Sequence, residues 1–586
     1  MRHHPDQPTV PNFDPFPRIE VPGAQAQTGE RLWDRLAQQA RERSTSPIVA
    51  LDCYPGSDRD ALVRSFLAAC PDFSHVDVEE AALPISLVDE RIADHLTNDR
   101  VFGVMSHHVL RQLYDETALS ALHADLAQAE QPILLTGWGA ALAAPTQAVI
   151  GLVDMARWEI QLRYRSGMGN WRCDNGAEDL LRKYKRGFFV EWRIADRHKV
   201  DIWDRVDWVI DGNAATPSGL SIRDVNLGLD EAVSRPFRLV PYVDQGVWGG
   251  QWMKEVLGIH GAANYAWCFD CVPEENSIVL RCGEDDIELP AIDLVLLRSR
   301  ELLGARTYAR FGAEFPIRFD FLDTMEGGNL SLQVHPTTDY IQQTFGMHYT
   351  QDESYYLLDA APDARVFLGL RDGVDPQRFE QALREAETGD APLDAESYVN
   401  AFPARRHDHF LIPAGTVHCS GADSMVLEIS ATPYIFTFKM WDWGRLGLDG
   451  VPRPVHLDHA LANIDWTRRT SFTTQLRNVV VPIAEGPGWR EERTGLHELE
   501  FIETRRHWFD GPVAHDTAGT VNVLNLVQGA SAVVSSPAGE FAPFEVHYAE
   551  TFVVPAAVGP YEITPGPDCT TECATIKAYV RGTDCR

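Results

Sequence analysis

The sequence predicts a multidomain protein, with a parallel-sheet α/β domain followed by a long all-β region of barrel or jelly-roll type. Three observations predict it. Strand-like, turn and helix-like segments alternate from about residue 28 to 235. From about residue 236 short alternating strands punctuated by Gly, Pro and Asp take over, with one helical interlude near DPQRFEQALREAETG. Residues with metal-ligand chemistry are scattered through that β region: Gln333 and His335 in LSLQVHP, Glu353 in DESYYLLD, and His418 in IPAGTVH. Gln333 and His335 lie two apart in an apolar run, a spacing that points both side chains to one face of a strand. Glu353 opens a second β-like run, and His418 follows a Pro-Ala-Gly turn after a third. Four such residues facing one interior describe an open metal site, with Lewis-acid chemistry, rather than a structural staple.

Along the chain, residues 1–27 read as a flexible, Pro-rich polar tail. The run SPIVALDC is an apolar strand ending in a turn, and DRDALVRSFLAAC after it has helical periodicity. PILLTGWGAAL holds a buried strand and a Gly turn, and AVIGLVDM is another buried strand, followed by the charged RWEIQLRYR. This repetition marks an α/β domain over residues 28–235, with helices on both faces of the sheet. Residues 236–488 read as a metal-binding β domain. Residues 489–586, with VNVLNLVQG, SAVVSS, FEVHYAETFVVPAA and ATIKAYVRG, read as a second β domain lacking a comparable Q-x-H set.

Composition narrows the function. At 586 residues the chain exceeds what one core supports. The net charge of −33 argues against nucleic acid or an anionic membrane as partner, and an anionic substrate would need a local basic pocket. No run has the length of a signal peptide or a membrane span, which reads as a cytoplasmic protein with a small-molecule partner; homo-oligomerisation stays open. The ten Cys do not form a disulfide framework pattern in a chain this long. Cys268 and Cys271 make a lone C-x2-C with Cys282 downstream, but a second ligand pair at zinc spacing is missing, and Cys569 with Cys573 is weaker still.

The segments FPIRFDFLDTMEGGNLSLQVHP, ESYYLLDA, FLIPAGTVHCSGADSMVLEIS and WDWGRLGLDGVPRPVHLDHALANID, with VPYVDQGVWGG near residue 240 as a domain start, resemble the type I mannose-6-phosphate isomerases over roughly residues 238–586. The resemblance implies a double cupin fold and one divalent metal, typically zinc. It places Gln333, His335, Glu353 and His418 on the family's four ligand positions. A core-polar reading suits a single strand His; four coincident positions favour ligands. Aldose–ketose isomerisation needs an electrophile at the sugar oxygens and a base near the carbon acid. Glu428, in MVLEIS, matches a family active-site Glu and is the first acid/base candidate, with a buttressing role as the alternative. Ser331 stays at a family substrate-contact position.

The departures concern substrate recognition. Asp320 stands where the family has a Lys, with Arg318 two residues earlier on the same face. The family's Lys-Thr before the metal Glu is Gln351-Asp352 here. Lys439, in FKMWDW, replaces a family Arg of catalytic or phosphate-binding role, with Arg445 close by. Lys lacks the bidentate fork of Arg, so this change is not neutral. The reading is retained metal and sugar-carbonyl chemistry with altered recognition of the far end of the substrate.

In the α/β half, SPIVALDCYPGSDRDALVRSFL and YKRGFFVEWRIADRHK resemble P-loop nucleoside-kinase-like domains of the uridine kinase type. A working P-loop cradles phosphate with glycine N–H groups, a Lys and a Ser/Thr. Here Gly56 remains, Arg59 takes the Lys position, and Asp58 and Asp60 bring carboxylates into the turn. The loop is degenerate and no nucleotide site is assigned. Lys183, Lys185, Arg186, Arg193, Arg197 and Lys199 either hold an anion or are surface charge, and Asp154 and Arg157 sit after a buried strand, where α/β folds often bind ligands. The leading expectation is a metal-dependent sugar or sugar-phosphate isomerase of the mannose-6-phosphate isomerase type. A non-catalytic sugar-binding regulator and a bifunctional sugar kinase–isomerase are the alternatives.

Overall fold

The computed structural model describes residues 10–431, 436–448, 450, 452–495, 497–567 and 569–582. Five sheet-forming runs of the N-terminal region are parallel: Ser74–Asp77, Ile133–Gly137, Ile48–Cys53, Val149–Asp154 and Trp208–Asp211, in that spatial order. Ser218–Ser221 and Gln27–Thr28 extend the sheet antiparallel at one edge. The first parallel strand therefore lies at the centre, and all six of its residues are buried, as befits a strand covered on both faces.

The loop after this central strand folds on itself. Gly56 has φ +102°, and a Cβ there would meet Ile160 at 2.9 Å, so the turn requires glycine. Asp58 caps the helix Arg59–Ala69 by accepting the Ala61 N–H at 3.0 Å. Arg59 reaches Asp77 and Glu79, each at 3.0 Å. A carboxylate thus stands at the helix N-terminus where a phosphate would need donors.

The rest of the chain is two antiparallel β-sandwiches. In the first, a six-stranded sheet runs His409–Ile412, Glu353–Ala360, Ser424–Ser430, Arg318–Asp323, Trp267–Cys271, Tyr242–Asp244. Its five-stranded partner runs Val399–Pro403, Arg365–Leu370, His418–Ser420, Leu332–Val334, Phe438–Trp441. The second sandwich pairs a six-stranded with a four-stranded sheet and begins at Val481–Gly486, earlier than the expected boundary at 489, because that strand pairs with Trp489–Gly495.

The expected flexible tail is a strap where it is described. Ile19–Glu20 pairs parallel with Ser277–Cys282, and Phe13, Ile19 and Val21 are buried. Asn12 Nδ2 donates to the Ala530 carbonyl at 2.9 Å, and the Asp14 N–H donates to Glu550 Oε1 at 2.7 Å. Residues 1–9 of that expected tail lie outside the described residues.

The α/β domain is docked on the first sandwich by buried charge. Lys199 Nζ sits between Asp154 at 2.7 Å and Asp293 at 2.6 Å, all three buried. Burial opposes the ammonium charge, yet the two carboxylates push Lys199 above the ordinary lysine range. Arg157 pairs with Asp196 and Glu274, and Arg193 meets Glu274 at 2.9 Å. Asp154 and Arg157, read above as a ligand position, are therefore interdomain contacts. The other basic residues considered for an anion also have internal partners: Lys183 the carbonyls of Tyr164, Met168 and Gly176, Lys185 that of Asp99, Arg186 Glu191 and Asp89, and Arg197 the carbonyls of Ser106 and His108. Cys268, Cys271 and Cys282 are buried thiols. Among the described residues no helix is long and apolar enough to cross a membrane.

Candidate metal centre

Register brings the ligand residues together. Gln333 lies directly opposite His418 on one neighbouring strand and opposite Lys439 on the other, so all three side chains share the interior face of the five-stranded sheet. His335 follows that strand, and its carbonyl accepts the Gly415 N–H at 3.0 Å. Gly415, at φ +87°, gives the Pro-Ala-Gly turn its left-handed step and returns the chain to His418. Glu353 comes from the facing six-stranded sheet.

Ligand atoms of His335, Glu353 and His418 lie within 4.8 Å of one another, and all three residues are buried. His335 Nδ1 lies 2.8 Å from the Phe436 carbonyl and His418 Nδ1 2.8 Å from the Thr416 carbonyl. Those carbonyls can only accept, so both Nδ1 atoms carry the proton and both Nε2 lone pairs face inward. They face Glu353 Oε2 at 3.0 Å and Oε1 at 2.8 Å. Acceptor faces acceptor, and His335 Nε2 and Glu353 Oε1 have no hydrogen-bond partner among the described residues. A shared cation resolves that opposition, so the donor set fits a metal ion. Gln333 adds an amide 3.2 Å from His418 Nε2. Two imidazoles, one carboxylate and an amide suit zinc or a similar divalent ion.

An acidic row continues from this centre. Asp320 lies opposite Glu428, and Glu428 opposite Tyr355, two residues from Glu353 on the same face. Gln351 ties the row together: its Nε2 donates to Glu353 Oε2 at 2.9 Å and Glu428 Oε1 at 3.3 Å, and its Oε1 accepts the Phe436 N–H at 3.1 Å. Burial pushes Glu428 well above the usual carboxylate range, with Asp320 and Glu353 adding to the effect. Burial raises Asp320 to about 6, against the pull of Arg318, which donates to it at 3.0 Å.

Lys439 is half-buried, and its ammonium group makes no hydrogen bond or ion pair among the described residues. Burial lowers it to about 7, helped by the nearby Arg453. Ser331 donates to Asp442 at 2.7 Å, and Arg445 and Arg453 reach the same carboxylate at 2.6 and 3.1 Å.

These groups border a cavity of about 350 Å³ walled by both domains. Of the residues the sequence singled out, Gln333, Ser331, Arg318, Glu428 and Lys439 line it; His335, Glu353 and His418 are not part of the lining and lie behind Gln333 and Gln351, which touch His418 and Glu353. Arg445 is held on Asp442 outside the lining, and Arg453 takes the place expected of it. The sequence reading missed Gln161 and Tyr184 of the α/β domain and Glu275 of the sandwich, because nothing local marks residues that meet only when the domains dock.

The profile of a family described as a domain of unknown function, DUF8485, matches residues 31–234. The "Probable mannose-6-phosphate isomerase GmuF" of Bacillus subtilis is 24% identical over 232 residues, 39% of this chain and 68% of that protein. The mannose-6-phosphate isomerase of Streptococcus mutans is 23% identical over 232 residues, 39% of this chain and 67% of that protein. The crystal structure of the mannose 6-phosphate isomerase from Bacillus subtilis covers 59% of this chain and 100% of its own, with 17% identity and a TM-score of 0.48. The chain is thus a distant homologue of mannose-6-phosphate isomerases over part of its length.

Proposed function

We propose that the protein is a metal-dependent aldose–ketose isomerase acting on a mannose-type sugar. The observation that carries this is the convergence of His335, Glu353 and His418 directly behind Gln333 and Gln351, which line a cavity that also presents Glu428 and Lys439. The homology to mannose-6-phosphate isomerases supports it.

His335, Glu353 and His418, with Gln333 beside them, would hold a divalent ion, most simply zinc, which when bound supplies Lewis-acid polarisation of the sugar oxygens. The chain's own groups move the protons. Lys439, with a pKa near 7 and no ion-pair partner among the described residues, takes the proton from the carbon next to the carbonyl and returns it to the neighbouring carbon. Glu428, kept protonated by burial, serves the oxygens, giving a proton to one and receiving it from the other as the enediol forms and collapses. Gln351 fixes the Glu428 carboxyl relative to Glu353. Ser331, anchored on Asp442, positions the sugar.

The test is solvent-deuterium incorporation followed by NMR, with free and phosphorylated aldoses, with and without chelator. Deuterium at carbon 1 or 2 that disappears with chelator and in His418→Ala is expected. Exchange that survives in His418→Ala would place the chemistry elsewhere.

A further inference from the structure

The cavity has two ends of different chemistry. The metal end holds Gln333 and Lys439. The other end is closed by the α/β domain: Gln161, on the helix Arg157–Arg165, and Tyr184, on the helix Leu180–Arg186, converge on Glu275. Tyr184 donates its hydroxyl to Glu275 Oε1 at 2.7 Å, and Gln161 Nε2 donates to Oε2 at 2.6 Å. Burial pushes Glu275 above the usual carboxylate range, while both donors and the nearby Arg157 and Arg318 favour the carboxylate, with acceptor positions left on each oxygen. Glu275 follows the strand Trp267–Cys271, which lies three strands along the sheet from Glu353. That strand stands about 14 Å from the strand of Glu353 at the usual spacing of about 4.8 Å.

The charges of the lining decide what that far end accepts. Arg165 is spent on Asp244, Arg318 on Asp320 and Arg453 on Asp442. Lys439 is the one lining cation without such a partner among the described residues, and it stands opposite Gln333 at the metal end. A phosphate dianion reaching the far end would meet the Glu275 carboxylate and, among the described residues, no cation without an acidic partner. A hydroxyl would meet an acceptor. Tyr242 and Phe269, stacked at 5.9 Å, add an apolar part to the lining beside it.

We propose that the α/β domain is the substrate-selecting wall of the isomerase cavity, and that Glu275, set by Tyr184 and Gln161, binds the hydroxyl end of an unphosphorylated aldose and rejects a phosphate there. The proposal rests on the isomerase reading for the chemistry at the metal end, and on the interdomain contacts alone for the far end.

The experiment compares free mannose with mannose 6-phosphate in the zinc-loaded full-length protein, for the wild type, Glu275→Gln and Tyr184→Phe. Wild-type kcat/KM is expected to favour free mannose by about tenfold or more. Glu275→Gln removes the charge but keeps the shape, so the ratio should narrow at least about fivefold. Tyr184→Phe should raise KM for free mannose several-fold, with the larger effect on KM than on kcat. A wild-type preference for the phosphorylated sugar, or a ratio unmoved by Glu275→Gln, overturns the proposal. If neither sugar turns over, the isomerase reading fails by itself, and binding of the same two sugars, followed by tryptophan fluorescence, decides the wall. Tighter binding of free mannose that Glu275→Gln equalises supports it; equal binding, or none, overturns it.

Discussion

Phe102 of the α/β domain lies stacked on Phe436 of the metal-bearing sandwich, ring centroids 5.4 Å apart and planes 18° from parallel. The carbonyl of that same Phe436 accepts the Nδ1 proton of His335, and its N–H is held by Gln351. One interdomain ring contact therefore bears on the orientation of a metal ligand. Phe102→Ala should cost about 3–5 kcal/mol of stability, as a buried Phe truncation does. It should also weaken zinc binding by about tenfold, the lower range for a lost partner of a metal-bound His. Urea unfolding and competition with a chromogenic chelator measure the two separately. A stability loss with unchanged zinc affinity would reduce the contact to packing.

Lys439 predicts the pH profile of turnover. With its amine near 7 and acting as the free base, kcat/KM should rise with pH through about 7 and then level. Lys439→Met should remove that limb and lower kcat by about 10²–10⁴. The stability effect has a definite sign. The folded protein binds this proton less tightly than the unfolded chain does, so the group's contribution rises with pH between about 7 and the ordinary lysine value of 10.5. An unchanged limb in Lys439→Met assigns the proton transfer to another group.

His409 predicts an acid sensitivity away from the metal. Burial, aided by Arg506, lowers it to about 3 from an ordinary 6.5. The unfolded chain gains a proton first as pH falls, so stability drains away below about 6.5 by up to about 1.4 kcal/mol per unit through this group. Guanidinium melts of wild type and His409→Gln at pH 7 and pH 5 test it. The difference between the two proteins should shrink at pH 5; a constant difference would show that folded His409 takes up its proton in the ordinary imidazole range.

Lys199 predicts how firmly the domains are joined. Lys199→Met leaves Asp154 and Asp293 facing each other in the interior, and removing one partner of a buried charge set costs about 3–5 kcal/mol. Thermal unfolding should show the α/β domain melting before the sandwiches. A single unchanged transition would mean the apolar part of the interface carries the docking.

The β half was legible in the sequence because its chemistry repeats a strand rule: two residues apart on one face, then one Glu and one His on neighbouring runs. That rule found Gln333, His335, Glu353 and His418, and the departures at Asp320 and Gln351 led to groups that do touch the site. The α/β half was legible as a parallel sheet from its buried apolar strands. What it does was not. In a linear chain Arg157 reads as a ligand position and Lys199 as an anion site or surface charge, and both prove to be interior contacts once the sandwich supplies Glu274 and Asp293. Arg445 and Arg453 could not be told apart by spacing, since both turn on Asp442 and only the fold decides which faces the cavity. The supposed tail was misread because short apolar pieces such as Ile19 and Val21 carry too little periodicity to announce a strand.

That strap bears on the making of the protein. Asn12 and Asp14 find their partners 518 and 536 residues later in the chain. At a ribosomal rate of about 5–20 residues per second, roughly half a minute to nearly two minutes separate the synthesis of the two sides. Through that interval Phe13, Ile19 and Val21 emerge with part or all of their final cover still unmade, a window in which a chaperone has something to hold. Closure of the Asn12–Asp14 end is a late event of biogenesis, and a chain interrupted before residue 530 would keep that end of the strap open to capture and degradation.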